Sequence, residues 1–465
     1  MTNLQAKKLE ERMNKLAAGF AGQILLPGNN AYESARRIWN AMIDRRPALI
    51  ARCASGSDVA RAVDFARESG LPLAVRGGGH NIAGSAICEG GIVIDLSGMK
   101  AAAVDADARR VTIEAGALLS DLDAATQAHG LATPLGINST TGIAGLTLGG
   151  GFGWLSRKYG MTIDNLEAAE VVTAGGQTVR ASAEENTDLF WALRGGGGNF
   201  GVVTRFTYRL HAVGPQLLSG LIVYPMAQAK SVLQQYRAFM AQAPDELCVW
   251  TVLRTAPPLP FLPESVHGQP ILALALLYTG DPADGQALVE PLNRLGTPVG
   301  AHVGVQPYAA WQQAFDPLLA PGARNYWKSH NFTQLDDGLL DVVVRYAERL
   351  PSPECEVFLA ALGGATMRPA PDAVAYAHRE TRFVINVHGR WQDAADDQRC
   401  IDWAREVFAA AKPFASGGVY VNFMTDDESE RIPAAYGSNY RRLAEIKAKY
   451  DPDNLFSANQ NIRPA

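Results

Sequence analysis

Three glycine-dense stretches in the first 201 residues constrain this chain more than any other feature. The first is Arg76, Gly77, Gly78, Gly79, His80 and Asn81, which follows the apolar run Leu73, Ala74, Val75. A strand running into a tight turn is expected there. The second is GIAGLTLGGGFG at 142–153, and the third is GGGGNFG at 195–201. Consecutive glycines reach backbone conformations closed to other residues and turn successive N–H groups toward one point, a nest suited to phosphate oxygens. One such turn is ordinary. Three in one half imply that the backbone closely approaches something large and polar, and a dinucleotide fits. A nicotinamide-type Rossmann site fits poorly. Its GxGxxG opens a helix after the first strand and is followed ~20 residues on by an acidic residue, whereas the longest glycine stretch here lies deep in the chain. The absence of GxxxxGK[ST] argues against a P-loop enzyme.

With 465 residues the chain is too long for one ordinary core, so two domains are expected. Up to about residue 210, strand-like and helix-like runs alternate. Strands are expected at 47–52, 73–76, 91–96 and 110–116, with helices starting near Ser57 or Asp58 and over 118–129. Beyond 210 the texture changes. Long strand-like runs at 217–224, 248–253, 271–278, 355–362 and 382–388, with a helix over 227–241, suggest an antiparallel sheet covered by helices. A net charge of −5 argues against a general nucleic-acid binder. Cys53, Cys88, Cys248, Cys355 and Cys400 are scattered and form no CxxC, so free thiols are expected rather than a disulfide framework or zinc site. The histidines show no HxxxH spacing, and no metal is expected. The charged N-terminal segment lacks a signal-peptide core and no run has the length of a membrane span, so a cytoplasmic protein without a membrane partner is expected.

RGGGHN at 76–81, GLATPLGINSTTGIAGLTLGGGFGWLSRKYGMTIDNL from Gly130, WALRGGGGNFGVVT from Trp191, and the C-terminal VYVNF, YGSNYRRLAEIKAKYDPDNLF and NQNIRP together resemble the FAD-linked oxidases of the berberine-bridge-enzyme-like family. The resemblance covers nearly the whole chain. It implies an α+β protein with a PCMH-type (vanillyl-alcohol-oxidase-like) FAD-binding domain from 1–210, a substrate domain from 211–415, and a C-terminal segment, 416–465, that returns to the FAD-binding domain.

The resemblance further implies that His80 bonds covalently to FAD. Some relatives add a second bond through a cysteine in the stretch matching 136–140. Asn138 stands at that place here, so single attachment is expected. Arg76, Gly77, Gly78, Gly79, Asn81, Gly84 and Ser85 are expected around the pyrophosphate and flavin edge. Pro134, Gly136, Asn138, Ser139, Thr140, Gly142, Gly145, Gly149 and Gly153 are expected along the second side. Asn199, Gly201 and Val203 fall on the adenine and ribose side, and Asn422, Asn459 and Asn461 approach the ring.

Tyr420 and Asn422 are read as sharing one face of a strand at 419–423, with Tyr420 a candidate base. Its rivals are Glu356 and His388 from the substrate domain. Lys328 is read as standing on a sheet face above the flavin, and 436–449 as one helix. The expected activity is hydride removal from a carbon bearing OH or NH of a small molecule, with oxygen as final acceptor. The alternatives are a dehydrogenase using another acceptor and a non-catalytic flavin carrier.

Overall fold

The computed structural model describes residues 11–465. The N-terminal half holds two sheets. In the first, Leu49–Arg52, Ile92–Asp95 and Leu73–Arg76 run parallel, and Gln23–Leu25 adds an antiparallel edge. Ile92–Asp95 lies between two parallel neighbours and is buried along its whole length, as its apolar sequence requires. The helix Gly56–Ser69 packs Val59, Val63, Phe65 and Ala66 inward. Its cap is Ser55, not Ser57 or Asp58: the Ser55 hydroxyl accepts the Asp58 N–H. The Asp58 carboxylate instead accepts the N–H groups of Ala21, Gly22 and Ala54. The second sheet is antiparallel, in the order Ala102–Asp105, Arg110–Glu114, Val202–Arg209, Leu166–Val172, Thr178–Ser182.

Residues 216–391 supply a seven-stranded antiparallel sheet. Its order is Gly300–Pro307, Gln216–Pro225, Pro270–Tyr278, Leu247–Thr255, Glu356–Ala361, Phe383–Trp391, Arg324–Phe332. Helices Ala229–Met240, Asp337–Ala347 and Asp397–Ala411 cover one face with residues such as Tyr236, Leu340 and Val407. Side chains alternate across each strand, so Trp250, Val252 and Arg254 point the other way, toward the glycine-rich turns. The α+β architecture expected from the sequence is therefore present.

Three local expectations fail. Residues 421–423 form a 3₁₀ turn rather than a strand, so alternation does not place Tyr420 and Asn422 together. They meet because the turn lets the Asn422 amide donate to the Tyr420 hydroxyl at 2.9 Å. The helix expected over 436–449 is broken at Gly437, whose φ of +55° favours glycine. Ile432–Tyr436 precedes the break and Tyr440–Tyr450 follows it. Lys328 lies on the helix-covered face, where its ammonium donates to Thr425 and Asp427 at 3.1 and 2.7 Å, away from the cavity.

All five cysteines are free and buried. Among the described residues, no helix is long and apolar enough to cross a membrane. The C-terminal residues fold back onto the first half: Lys447 donates to the Asn199 carbonyl at 2.7 Å, and the Ile462 N–H donates to the Asn199 side chain at 3.0 Å.

One contact between the halves titrates. Asp123, on helix Leu119–Gln127, accepts from Gln312 at 3.1 Å through Oδ2, while its buried Oδ1 has no partner. Burial pushes its carboxyl up to about 7, against a smaller lowering by Gln312. The folded protein thus keeps a proton that the unfolded chain releases near 3.9. Stability is then full below about pH 4 and falls by ~1.4 kcal/mol per pH unit up to about pH 7. Asp123→Asn removes this loss. Its Tm should exceed that of the natural chain at pH 8 and match it near pH 4; equal Tm values at pH 8 refute the assignment.

Candidate active site

A cavity of about 350 Å³ lies between the glycine-rich turns and the open face of the seven-stranded sheet. Its floor is made of two turns in backbone contact. A Cβ on Gly78 would sit 2.4 Å from the Gly142 nitrogen, and one on Gly142 would sit 2.2 Å from the Gly78 nitrogen. Gly79, with φ of +69°, turns the chain so that His80 opens onto the cavity. No side chain fits between these turns, so the floor presents bare backbone.

His80 Nε2 is buried and has no hydrogen-bond partner. Trp39 stacks on the imidazole, with ring centroids 4.3 Å apart and planes 22° apart. The indole is fixed by donating to the Leu319 carbonyl at 2.7 Å. Burial pulls the His80 imidazole down to about 3, against a backbone hydrogen bond that raises it, and the Arg390 guanidinium adds to the lowering, so it is neutral at ordinary pH. Further polar atoms of cavity-lining residues lack partners, among them Asn138 Nδ2 and Asn459 Oδ1. Asn138 Oδ1 accepts from the Thr140 N–H and hydroxyl at 3.0 and 2.6 Å, which fixes the orphan amide. A bare-backbone cradle with unpaired polar atoms at its rim fits a dinucleotide carrying a hydrogen-bonding ring system.

Most of the residues expected at the cofactor line this cavity. They include Gly77, Gly78, Gly79, His80, Asn81 and Ser85 from the first turn. Gly136, Asn138, Gly142 and Gly145 line it from the second. Asn199, Gly201, Val203, Asn422 and Asn459 complete the set. Eight do not line it. Arg76 folds beneath Gly79 and donates to the Ala35 carbonyl. Gly84 packs on Ile43, Gly149 on the Asn422 amide, and Gly153 on the Leu135 carbonyl. Pro134 gives its carbonyl to Thr162. Ser139 is taken by Asp316 and Thr140 by Asn138. Asn461 lies outside the lining, its buried Oδ1 without a partner.

The wall opposite His80 carries charge. Arg254, Glu356, His388 and Trp327 are direct cross-strand neighbours on four adjacent strands. Arg254 donates to Glu356 at 2.8 Å. His388 Nδ1 lies 3.4 Å from the other Glu356 oxygen, and its Nε2 lies 3.2 Å from Asn325 Oδ1. Burial raises the Glu356 carboxyl, but the Arg254 charge and the His388 contact outweigh it and leave the group below its usual range. Burial lowers His388, with Glu356 opposing. The resting pair is a carboxylate beside a neutral imidazole. Nδ1 faces Glu356 and Nε2 faces Asn325 Oδ1, both acceptors, so a neutral ring donates to one of them and a proton taken by its other nitrogen completes the second contact.

Tyr420 also lines the cavity, with its hydroxyl accepting from the Gly151 N–H at 3.1 Å and from Asn422. Burial pushes this phenol up to about 12 against those two contacts. Arg254, Trp39 and Asn325 were not among the residues singled out in the sequence. Only strand register and a 285-residue sequence separation between Asn40 and Asn325 bring them in, and no local signal marks them.

Architecture and cavity together define a protein that can cradle a dinucleotide between a two-sheet half and a sheet that carries ionisable groups. Residues 47–182 match the FAD binding domain family, and 419–463 match the berberine and berberine-like family. The chain is 31% identical over 459 residues to an FAD-linked oxidoreductase of Dictyostelium discoideum, covering 97% of each chain. Its structure is similar to that of 6-hydroxy-D-nicotine oxidase from Arthrobacter nicotinovorans, with a TM-score of 0.85 and 28% identity over 96% of this chain and 99% of that one. It shares its fold with glucooligosaccharide oxidase from Acremonium strictum, whose FAD is 6-S-cysteinyl and 8α-N1-histidyl, at a TM-score of 0.86 and 22% identity over 98% and 99% of the two chains. The chain belongs to the berberine-bridge-enzyme-like FAD-linked oxidoreductases.

Proposed function

We propose that this FAD-dependent oxidoreductase is an oxidase of small organic molecules and that His80 holds its cofactor by a single covalent bond. The observation that carries the reading is the pairing of the His80 turn with the Arg254–Glu356–His388 row across one cavity. Domains at 1–210, 211–415 and 416–465 agree with this division of labour.

Gly77, Gly78, Gly79, Asn81, Ser85, Gly142 and Gly145 would receive the pyrophosphate and flavin edge on backbone N–H groups. Gly201 and Val203 would flank the adenine side, with Asn199 buttressing them while it ties down the C-terminal residues. Asn138 stands where doubly linked relatives carry a cysteine, so its amide is a polar contact and not a second bond. Bound there, FAD would supply a two-electron acceptor for a hydride from the carbon bearing OH or NH, with oxygen as the final acceptor and hydrogen peroxide as its product. Glu356 and His388 take the substrate's OH or NH proton. Asn325 holds the imidazole in place, and Arg254 keeps the carboxylate ionised. Tyr420, a neutral phenol, donates a hydrogen bond rather than acting as the base.

The test is to mix the purified protein with candidate alcohols and amines without oxygen, then admit air. Loss of the yellow colour, recovery in air and one peroxide per turnover are expected. Bleaching that air does not reverse makes the protein a dehydrogenase, and absence of bound flavin defeats the reading.

A further inference from the structure

The open sheet face is divided by register into rows of contrasting chemistry. Val223, Ala273, Val252 and Phe358 are cross-strand neighbours in one row. Leu221, Ala275 and Trp250 form the next. All seven line the cavity, and the rings of Trp250 and Phe358 lie within 4° of parallel with centroids 6.1 Å apart. The Trp250 indole N–H, buried and without a partner, is the one side-chain donor or acceptor among these seven residues. The facing lip, Leu318 and Leu319, is apolar as well. Among the sheet residues that line the cavity, charge is confined to the third row, Arg254, Glu356 and His388, where the guanidinium and carboxylate already neutralise each other.

We infer that the substrate is a planar, apolar-bodied alcohol or amine, with an aromatic or conjugated ring on the two apolar rows and a single polar head at Glu356 and His388, and that saccharides are excluded. This rests on the FAD-dependent oxidoreductase reading above. A sugar carries a hydroxyl on almost every carbon. Each one laid on the apolar rows would lose its water without gaining a partner, at about tenfold or more in affinity per hydroxyl. A flat ring meets the opposite balance, because its burial on Val252, Phe358 and Trp250 is favourable and brings in no polar group that needs a partner.

The experiment is calorimetric titration of the purified holoprotein with an arylcarbinol and, separately, with cellobiose. The carbinol is expected to bind at least tenfold more tightly. Val252→Thr, which keeps the shape of the side chain but adds a hydroxyl, is expected to weaken the carbinol several-fold and leave the flavin absorbance unchanged. Ala273→Ser provides a second reading if the first variant folds poorly. A ratio below ten, tighter cellobiose binding, no binding of either compound, or indifference to both substitutions overturns the inference. Flavin content is read from the visible spectrum of the same samples, so loss of the underlying cofactor reading shows itself separately as colourless protein.

Discussion

His80→Ala moves the yellow colour from pellet to supernatant when the protein is precipitated with acid, whereas the natural chain keeps it in the pellet. The expectation follows from the state of the imidazole. A ring held near 3 by its surroundings is neutral across the working range and keeps a lone pair for bonding to carbon. Its Nε2 has no competing partner, and the Trp39 stack limits its rotation. Alanine removes the nucleophile and leaves the glycine floor untouched, so FAD should still bind, reversibly. Turnover should fall as well, because a covalent bond at His80 would be one means of tuning the cofactor. If colour leaves the natural chain in acid, the bond does not exist. If the alanine variant keeps its colour in the pellet, another residue makes the bond.

How much of this was legible in the sequence depends on how local each feature is. The glycine turns and His80 were readable because a tight turn is written in consecutive residues. The long strands of the second half were readable because their apolar runs are continuous. Asn138 was readable as a substitution within a short motif. The charged row was only half visible. Glu356 and His388 stood out as ionisable residues at strand positions, but Arg254 becomes their neighbour only through the register Arg254–Glu356–His388, and a slip of one residue would turn the whole row to the helix side. Trp39 and Asn325 lie in stretches with no chemical signature. At the other end, Arg76, Gly149 and Gly153 sit in the right motifs but serve the back of the turns, since glycine density marks close packing as well as ligand approach. The strand expected at 419–423 failed because VYVNF has strand propensity, while its neighbours bend the segment into a turn under Gly150 and Gly151.

Glu356→Gln should lower kcat by about 10²–10⁴, the range supplied by a positioned acid–base group, while FAD content and its acid-stable fraction stay unchanged. Glutamine keeps the length and the hydrogen-bonding reach but takes no proton, and it leaves the Arg254 guanidinium without a charge partner. Removing one member of a pair this buried costs ~3–5 kcal/mol in stability. That deficit carries a pH signature. The folded carboxyl lies below its ordinary value, so its contribution to stability is present above the unfolded pKa of about 4.3 and is lost as pH falls through the folded one. The Tm gap between variant and natural chain should thus be full at pH 7 and shrink below about pH 4. The two readouts separate the roles of the residue: a Tm gap without a fall in kcat would leave Glu356 a structural partner of Arg254 and pass the proton to His388 alone. A fall in kcat with no gap at pH 7 would mean that the Arg254–Glu356 pair adds nothing to stability and that the carboxylate serves the reaction alone.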